Sequence, residues 1–327
     1  LASPDPASDF ATLLDAPAHF TLWHAGTPLR HLWGQVSTFE QADTGFRRTR
    51  YRALVEPRLA RLSLCANWRI FQHQTVPAIL QRLLAGHGLS AYAQHLTEPH
   101  LPREYCVQAG DTDLDFLLRL AAEEGLFHRF DHHADGCTLL HGDSLQGQGG
   151  IEGGPVLYNA TAGGDPAGPA LRRFRYTERV RTTRQTQRDY TFKHPRYDQQ
   201  RSQAAAPPPA AGQDYEHYAY PGRYKDARGS AYTRDRLRGL RNAACTAQAE
   251  GDDPRLVPGL AFQLSGHPRT DWNRGWRPVR LRHHGRQHTS QAEENADGPH
   301  GTDYRYHVEL VPDDLEWRPA PRPRPRV

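Results

Sequence analysis

Two periodicities alternate along the chain. Around Tyr105 and Val107 apolar positions recur every second residue, as in a strand; from Leu114 they recur at i, i+3, i+4 and i+7 as Leu114, Leu117, Leu118 and Ala121, one stripe of an amphipathic helix. Thr112 and Asp115 stand just before that stripe at capping-box spacing, so a hydroxyl and a carboxylate are available to the free N–H groups of a helix start. Gly125 follows the last turn, where a left-handed cap sits. Leu126 to Phe130, then Asp135-Gly136, then Cys137 to Leu140 read as two short strands about a turn. A second stripe, Ile79, Leu80, Leu83 and Leu84, predicts a helix over Ala78 to Ala85, with Pro77 near its start and Gly86 and Gly88 closing it.

Outside these helices the period is two. Phe20 to Trp23, Leu32 to Phe39, Thr49 to Glu56 and Leu59 to Leu64 are β-prone runs separated by Gly26, by Asp43-Thr44-Gly45 and by Pro57, a pattern that suits a barrel or sandwich. Further on, Phe174, Tyr176 and Val180 fall on one strand face and Arg173, Arg175, Arg179 and Arg181 on the other, with Tyr190 and Phe192 together on a return strand. Ser230 is placed to cap a helix through about Ala243, and strands follow near Ala261 to Leu264, Val279 to His283 and Tyr304 to Val311. Gly147 to Gly154, Ala160 to Pro169 and Ala204 to Gly212 are connectors, and Arg318 to Val327 alternates Arg and Pro as an extended linker. The expected fold is α+β, mainly β: two small β-barrel domains with an α/β insertion. Residues 1–65 plus about 143–195 would form the first barrel, 66–142 the insertion, and 196–317 the second barrel with its helix, its first strands beginning as early as 171.

Short strings also resemble one family. They are Arg69-Ile70-Phe71-Gln72 leading into Thr75-Val76-Pro77, Arg103-Glu104-Tyr105-Cys106-Val107-Gln108, Asp113-Leu114-Asp115-Phe116 with Arg119-Leu120, Glu123-Glu124-Gly125, Tyr190-Thr191-Phe192, Tyr220-Pro221-Gly222 with Tyr224, and His267-Pro268. In this order they resemble the VgrG family, tip proteins of the bacterial type VI secretion machine, in the portion similar to a contractile-phage baseplate hub. The resemblance implies a homotrimer in the full-length protein, whose six barrels form a ring between the Hcp hexamer tube and a puncturing needle. It also implies contact with needle-tip and effector proteins, synthesis in the cytoplasm, and secretion by the type VI system without a signal peptide to the exterior or into target cells. An OB-type barrel and needle would follow Val327, and any toxin activity would lie beyond them. A phage or prophage tail baseplate hub is the alternative within the same fold, and a nucleic-acid-binding module is the alternative of another class.

Composition narrows the chemistry. With 327 residues the chain can bury a substantial core, its mean hydropathy is −0.79, and no apolar run is long enough to cross a bilayer, so no stable membrane insertion of this stretch is expected. No positively charged leader with an apolar core is present, and Leu1 is not expected to be the natural start. Cys65, Cys106, Cys137 and Cys245 are too widely spaced for a zinc knuckle and are expected to be reduced.

Four groups could carry chemistry. His132-His133 and His283-His284, with His288 and His300, suggest a metal, but adjacent histidines on a strand point to opposite faces and no H-E-x-x-H completes a set. Asp113, Asp115, Glu123 and Glu124 could be acids or bases, yet the first two lie at a helix start, where a capping role is simpler. Gly147-Gln148-Gly149-Gly150 lacks the Lys and Ser/Thr of a phosphate loop. The basic stretches Arg172–Arg188, Arg234–Arg241 and Arg318–Arg326 fit a nucleic-acid binder, but 41 basic side chains face 37 acidic ones, a net of +4 with little long-range pull. The chain is therefore expected to be structural, with no catalytic, cofactor or metal residues, no cofactor and no nucleic-acid partner.

Overall fold

The computed structural model describes all residues except 25, 161–167, 194, 206–213, 223, 225–227, 288–302 and 323–327. Its N-terminal part is an open sheet, half of a barrel. β1 (Ala2–Ser3), the one-turn helix α1 (Phe10–Leu13), β2 (Pro17–His24), the long β3 (Thr27–Thr44) and β4 (Thr49–Glu56) are arranged in the order β1-β4-β3-β2, with antiparallel pairs throughout. β2 is an edge strand, and the two-residue β1 covers only the start of β4, so backbone groups on both margins face outward.

The segment Leu59 to Leu64, expected as a strand, is instead a 3₁₀ helix spanning Arg58–Leu64. Leu59 and Leu62, three residues apart, share its buried face, and an i, i+3 pair is what a three-residue turn aligns.

The insertion has its own core. β5 (Ala66–Gln74), α2 (Val76–Gly86), β6 (Tyr92–His95), β7 (Arg103–Thr112), α3 (Asp113–Glu123), β8 (Phe127–His133) and β9 (Gly136–Gly142) form two small sheets, β5-β7 and β6-β9-β8, against the two helices. The apolar helix faces meet here: Ile79, Leu80 and Leu84 of α2 and Phe116, Leu117 and Leu120 of α3 are all at most 1% exposed, while Leu114 and Leu118 of the expected α3 stripe are only partly buried, so the core face of α3 is rotated toward Phe116 and Leu120. Burying each such side chain stabilises by roughly 1.5–3 kcal/mol. The caps lie where the spacing places them. Thr75 Oγ1 accepts from the Ala78 N–H, and Thr112 Oγ1 accepts from the Asp115 N–H at 3.0 Å while its hydroxyl donates to the Asp115 carboxylate. Gly125 has φ +71°, the left-handed cap expected of it.

β10 (Val156–Tyr158) and β11 (Ala170–Glu178) do not join the N-terminal sheet, as a first barrel including about 143–195 would require; β11 instead starts the second barrel, whose first strands were expected as early as 171. They close a six-stranded barrel, β10-β11-β15-β18-β17-β16, with β15 (Cys245–Gly251), β16 (Phe262–Ser265), β17 (Gly275–Arg286) and β18 (Asp303–Pro312). The physical reason is the inner face of β11, whose Leu171 and Phe174 enter a core with Trp276, Tyr306, Val308 and Leu310, while its edge pairs with β15 from Leu171 to Glu178. Between β11 and β15 the chain forms a side sheet, β13-β12-β14, from β12 (Arg184–Asp189), β13 (Gln199–Ala204) and β14 (Glu216–Ala219), and then α4 (Arg228–Leu240), which packs on it. The return strand is thus β12, in another sheet from β11; Tyr190 and Phe192 lie beyond its end and are exposed, and Val180 lies beyond β11 and is exposed too. Ser230 sits inside the first turn of α4 rather than ahead of it.

The three parts touch through named bonds. Arg30 Nη1 donates to the Leu256 carbonyl at 2.7 Å, the Trp33 N–H donates to His132 Nδ1 at 3.1 Å, and Arg234 pairs with Glu98. The expected linker begins packed, since Arg318 is buried against Asp235 and Glu316 and its carbonyl accepts from Asn242. Part of the Ala160–Pro169 and Ala204–Gly212 connectors, and residues 323–327 of the linker, lie outside the described residues.

Candidate functional site

Of the four carboxylates that spacing singles out, Asp115 is exposed and serves the Thr112 cap, whereas Asp113, Glu123 and Glu124 are locked in ion pairs. Asp113 is buried at the start of α3 and accepts from Arg69 Nη2 and His87 Nε2 at 2.7 Å and from Gln108 Nε2 at 2.8 Å. Burial works to raise its pKa, but the Gln108 and His87 hydrogen bonds and the Arg69 charge outweigh burial and hold it below the usual carboxylate range. At the other end of α3, Glu124 accepts from His100 Nδ1 at 3.0 Å, from Arg103 Nε and Nη2 at 3.0 and 2.6 Å, and from the Tyr232 hydroxyl of α4. Burial again opposes the charge, yet the His100 bond and the Arg103 guanidinium bring this carboxyl down to about 2. Glu123 takes the other arm of Arg103 at 2.6 Å. A general acid must carry its proton near working pH, and a group titrating near 2 does not. This cluster is a staple between the insertion and α4; Tyr232 stands 108 residues from Glu124, beyond the reach of spacing arguments.

The histidines are dispersed. His132 accepts from the Trp33 N–H, and burial followed by the nearby Arg30 charge lowers its pKa. His283 lies against the Tyr304 hydroxyl at 2.8 Å, and the same two influences bring it down to about 4. His284 is exposed on the opposite face, edge-on to His307. His288 and His300 lie outside the described residues, among which no three of His, Cys, Asp and Glu stand close enough to hold a metal ion. All four cysteines are free thiols, and burial pushes the Cys137 thiol up to about 11. A 3₁₀ turn spans Gln146–Gln148, and beyond it the Gly149 carbonyl accepts from the Ala261 N–H and Arg277, which ties this loop to the closed barrel.

The arginine stretches separate by location. Arg173 and Arg175 point outward from β11, as the alternation requires. Arg179 lies past the strand and donates to Thr246, Arg238 pairs with Asp235 within α4, and Arg241 holds the Thr182 carbonyl.

One surface escaped the sequence reading. On the β5-β7 ribbon, Phe71, Cys106 and Gln108 face the core at 6% exposure or less, whereas Trp68, Ile70, Tyr105 and Val107 face outward at 72, 63, 59 and 41%. The pairings Ile70↔Val107 and Gln72↔Tyr105 put them on one side, with the Trp68 indole across Gly110. An apolar cluster turned to solvent while a glutamine is turned inward marks a face that another surface covers. Alternation in Trp68-Arg69-Ile70-Phe71 allows either face to be the inner one. What decides is the tie of Arg69 to the buried Asp113 and Gln108, a long-range fact.

Comparison with known proteins agrees with the geometry. Residues 1–289 match the model of the phage tail baseplate hub (GPD) family. The chain is 55% identical to the type VI secretion system spike protein VgrG2b of Pseudomonas aeruginosa and 54% identical to VgrG2a of the same organism, in each case over 100% of this chain but only 32% and 39% of the relative. It thus spans about a third of the length of these proteins. Among solved structures, an Escherichia coli type VI secretion component described as similar to the T4 tail proteins gp27 and gp5 superposes with a TM-score of 0.70 at 21% identity, over 99% of this chain and 72% of that one. With its half-barrel, closed barrel and α/β insertion, this chain belongs to the phage tail baseplate hub family and, within it, to the VgrG spike proteins.

Proposed function

We propose that this chain is the hub portion of a type VI secretion spike, a structural, non-enzymatic element of which three copies associate. The observation that carries the reading is the outward apolar face of β5 and β7, Trp68, Ile70, Tyr105 and Val107, on a chain whose N-terminal sheet also has open margins. Both features are stabilised when a neighbouring copy covers them. Three copies, each with a closed barrel and a half-barrel, give a ring of pseudo-sixfold symmetry, able to meet the Hcp hexamer tube on one side and a threefold needle on the other. Needle-tip and effector proteins would attach beyond this portion, and export would follow the type VI route. The locked state of Glu124 and Asp113 supports a mechanical role over a catalytic one.

The fold likeness to phage tail proteins keeps a second reading in view, the same hub in a phage or prophage tail. Electron microscopy of the full-length protein mixed with Hcp tubes tests the first: spikes seated on tube ends support it, and spikes that never meet tube ends refute it. Trp68→Ser with Ile70→Ser should weaken seating by loosening the contacts between the three hubs.

A further inference from the structure

The closed barrel carries a charged face that the hub role does not use. Outward positions of β11, β15, β18 and β17 lie side by side in two rows, Arg175–Gln248–Glu309–Arg280 and Arg173–Glu250–His307–Arg282, set by the strand register. They border an open depression of about 270 Å³. Farther along the same face Arg286 pairs in register with Asp303, and Arg305 stands opposite His284. The face thus holds six arginines against Glu250, Glu309 and Asp303, an excess of three positive charges in a chain whose net charge is +4. Most of the protein's imbalance is gathered here.

The pairing within the face is incomplete. Arg173 reaches Glu250 and Arg280 reaches Glu309, each at a loose 3.6 Å, and His307 is 3.5 Å from Glu250. Arg175 and Arg282, at opposite corners of the depression, have no carboxylate within ion-pair distance among the described residues. Neighbouring positions along a row are about 5 Å apart, so the two arginines that end each row, three strands from one another, are held roughly 14 Å apart. Two arginine columns held that far apart on a flat face fit separated carboxylates on another protein.

Two features favour a protein over a nucleic acid. The outward positions of this lattice hold no Phe, Tyr or Trp on which bases could stack, whereas single-strand binders alternate basic and aromatic groups. Glu250 and Glu309 stand between the arginine columns, where they repel a continuous phosphate chain but admit separated carboxylates and fix their register.

We infer that the β11-β15-β18-β17 face is a docking surface for the acidic face of a partner protein, read through Arg175 and Arg282. The inference stands on the charges of this face alone and goes beyond the trimeric hub, whose apolar contacts lie on β5 and β7. The test uses the full-length protein, a fluorescent 20-residue polyglutamate peptide and a 20-nucleotide oligothymidylate, with anisotropy at 50 mM NaCl. Arg175→Glu with Arg282→Glu is expected to weaken polyglutamate binding at least tenfold. Arg52→Glu with Arg269→Glu, on other exposed surfaces, is expected to change it less than twofold. Glu250→Gln with Glu309→Gln should strengthen oligothymidylate binding by removing the repelling carboxylates. Circular dichroism and melting temperature establish that each variant is folded. Equal polyglutamate affinity in the Arg175/Arg282 variant overturns the inference, and so does a wild-type protein that binds oligothymidylate as tightly as polyglutamate.

Discussion

Replacing Glu124 with Gln removes the charge at the centre of the staple between the insertion and α4, with little change in size. The wild-type carboxyl titrates near 2, against an ordinary value of 4.5, because His100, Arg103 and Tyr232 favour its charged form. Some 2.5 pKa units correspond to roughly 3 kcal/mol of stability at pH 7. A depressed carboxylate contributes fully above the unfolded pKa of 4.5 and loses its contribution as pH falls through 2. The gap between wild type and Glu124→Gln should therefore be roughly 3 kcal/mol at pH 7 and fall to roughly 1–1.5 kcal/mol at pH 3. His100 adds an opposite signature. Burial lowers its pKa, but Glu124 and Asp143 raise it more, so its contribution is present below pH 6.5 and fades as pH rises through the elevated value. In Glu124→Gln the His100 resonance should titrate at lower pH than in wild type. Urea unfolding followed by fluorescence, with NMR titration of His100, measures both. Equal stability at pH 7, or a gap that does not shrink on acidification, would refute the reasoning.

Other outcomes are as specific. Trp276→Ala empties a fully buried position in the closed barrel and should cost about 3–5 kcal/mol in urea unfolding. Gly251→Ala would put a methyl group 2.5 Å from the Ala170 carbonyl oxygen and 2.8 Å from the Tyr306 hydroxyl, within a β11-β15 pairing that cannot shift freely, so a loss of about 1–3 kcal/mol is expected in thermal unfolding. Trp68→Ser with Ile70→Ser should leave monomer stability within about 1 kcal/mol, since both side chains are exposed, yet weaken self-association measured by sedimentation velocity. Residues 1–327 alone should self-associate weakly, because the needle that would hold three copies at high effective concentration is absent from this stretch.

Local chemistry was legible in the sequence. The Thr112 cap, the Gly125 left-handed turn, the α2 stripe and the strands β16, β17 and β18 depend on neighbours within a few residues, and they stand where periodicity places them, whereas Phe116 and Leu120 of α3 and the whole of β15 were not read from it. Segments whose fate depends on distant partners were misjudged. The apolar run Leu59 to Leu64 reads as β-prone, but only a 3₁₀ turn puts Leu59 and Leu62 on one face, where they meet α3. β11 joins the closed barrel, the choice the sequence left open with a second barrel starting as early as 171, because Phe174 meets Trp276, some 100 residues on. Tyr105 and Val107 carry a correct strand signal, but which side of the ribbon is core depends on Arg69 and Asp113. The absence of a catalytic reading had a physical basis in spacing for Asp115, whereas the role of Glu124 appears only once Tyr232 of α4 is beside it.

The central claim is a threefold structural hub, and the mass of the full-length protein in solution tests it most directly. Sedimentation equilibrium across a micromolar concentration range should give three chains per particle. A stable dimer, or a monomer that persists at those concentrations with its needle attached, would contradict the account.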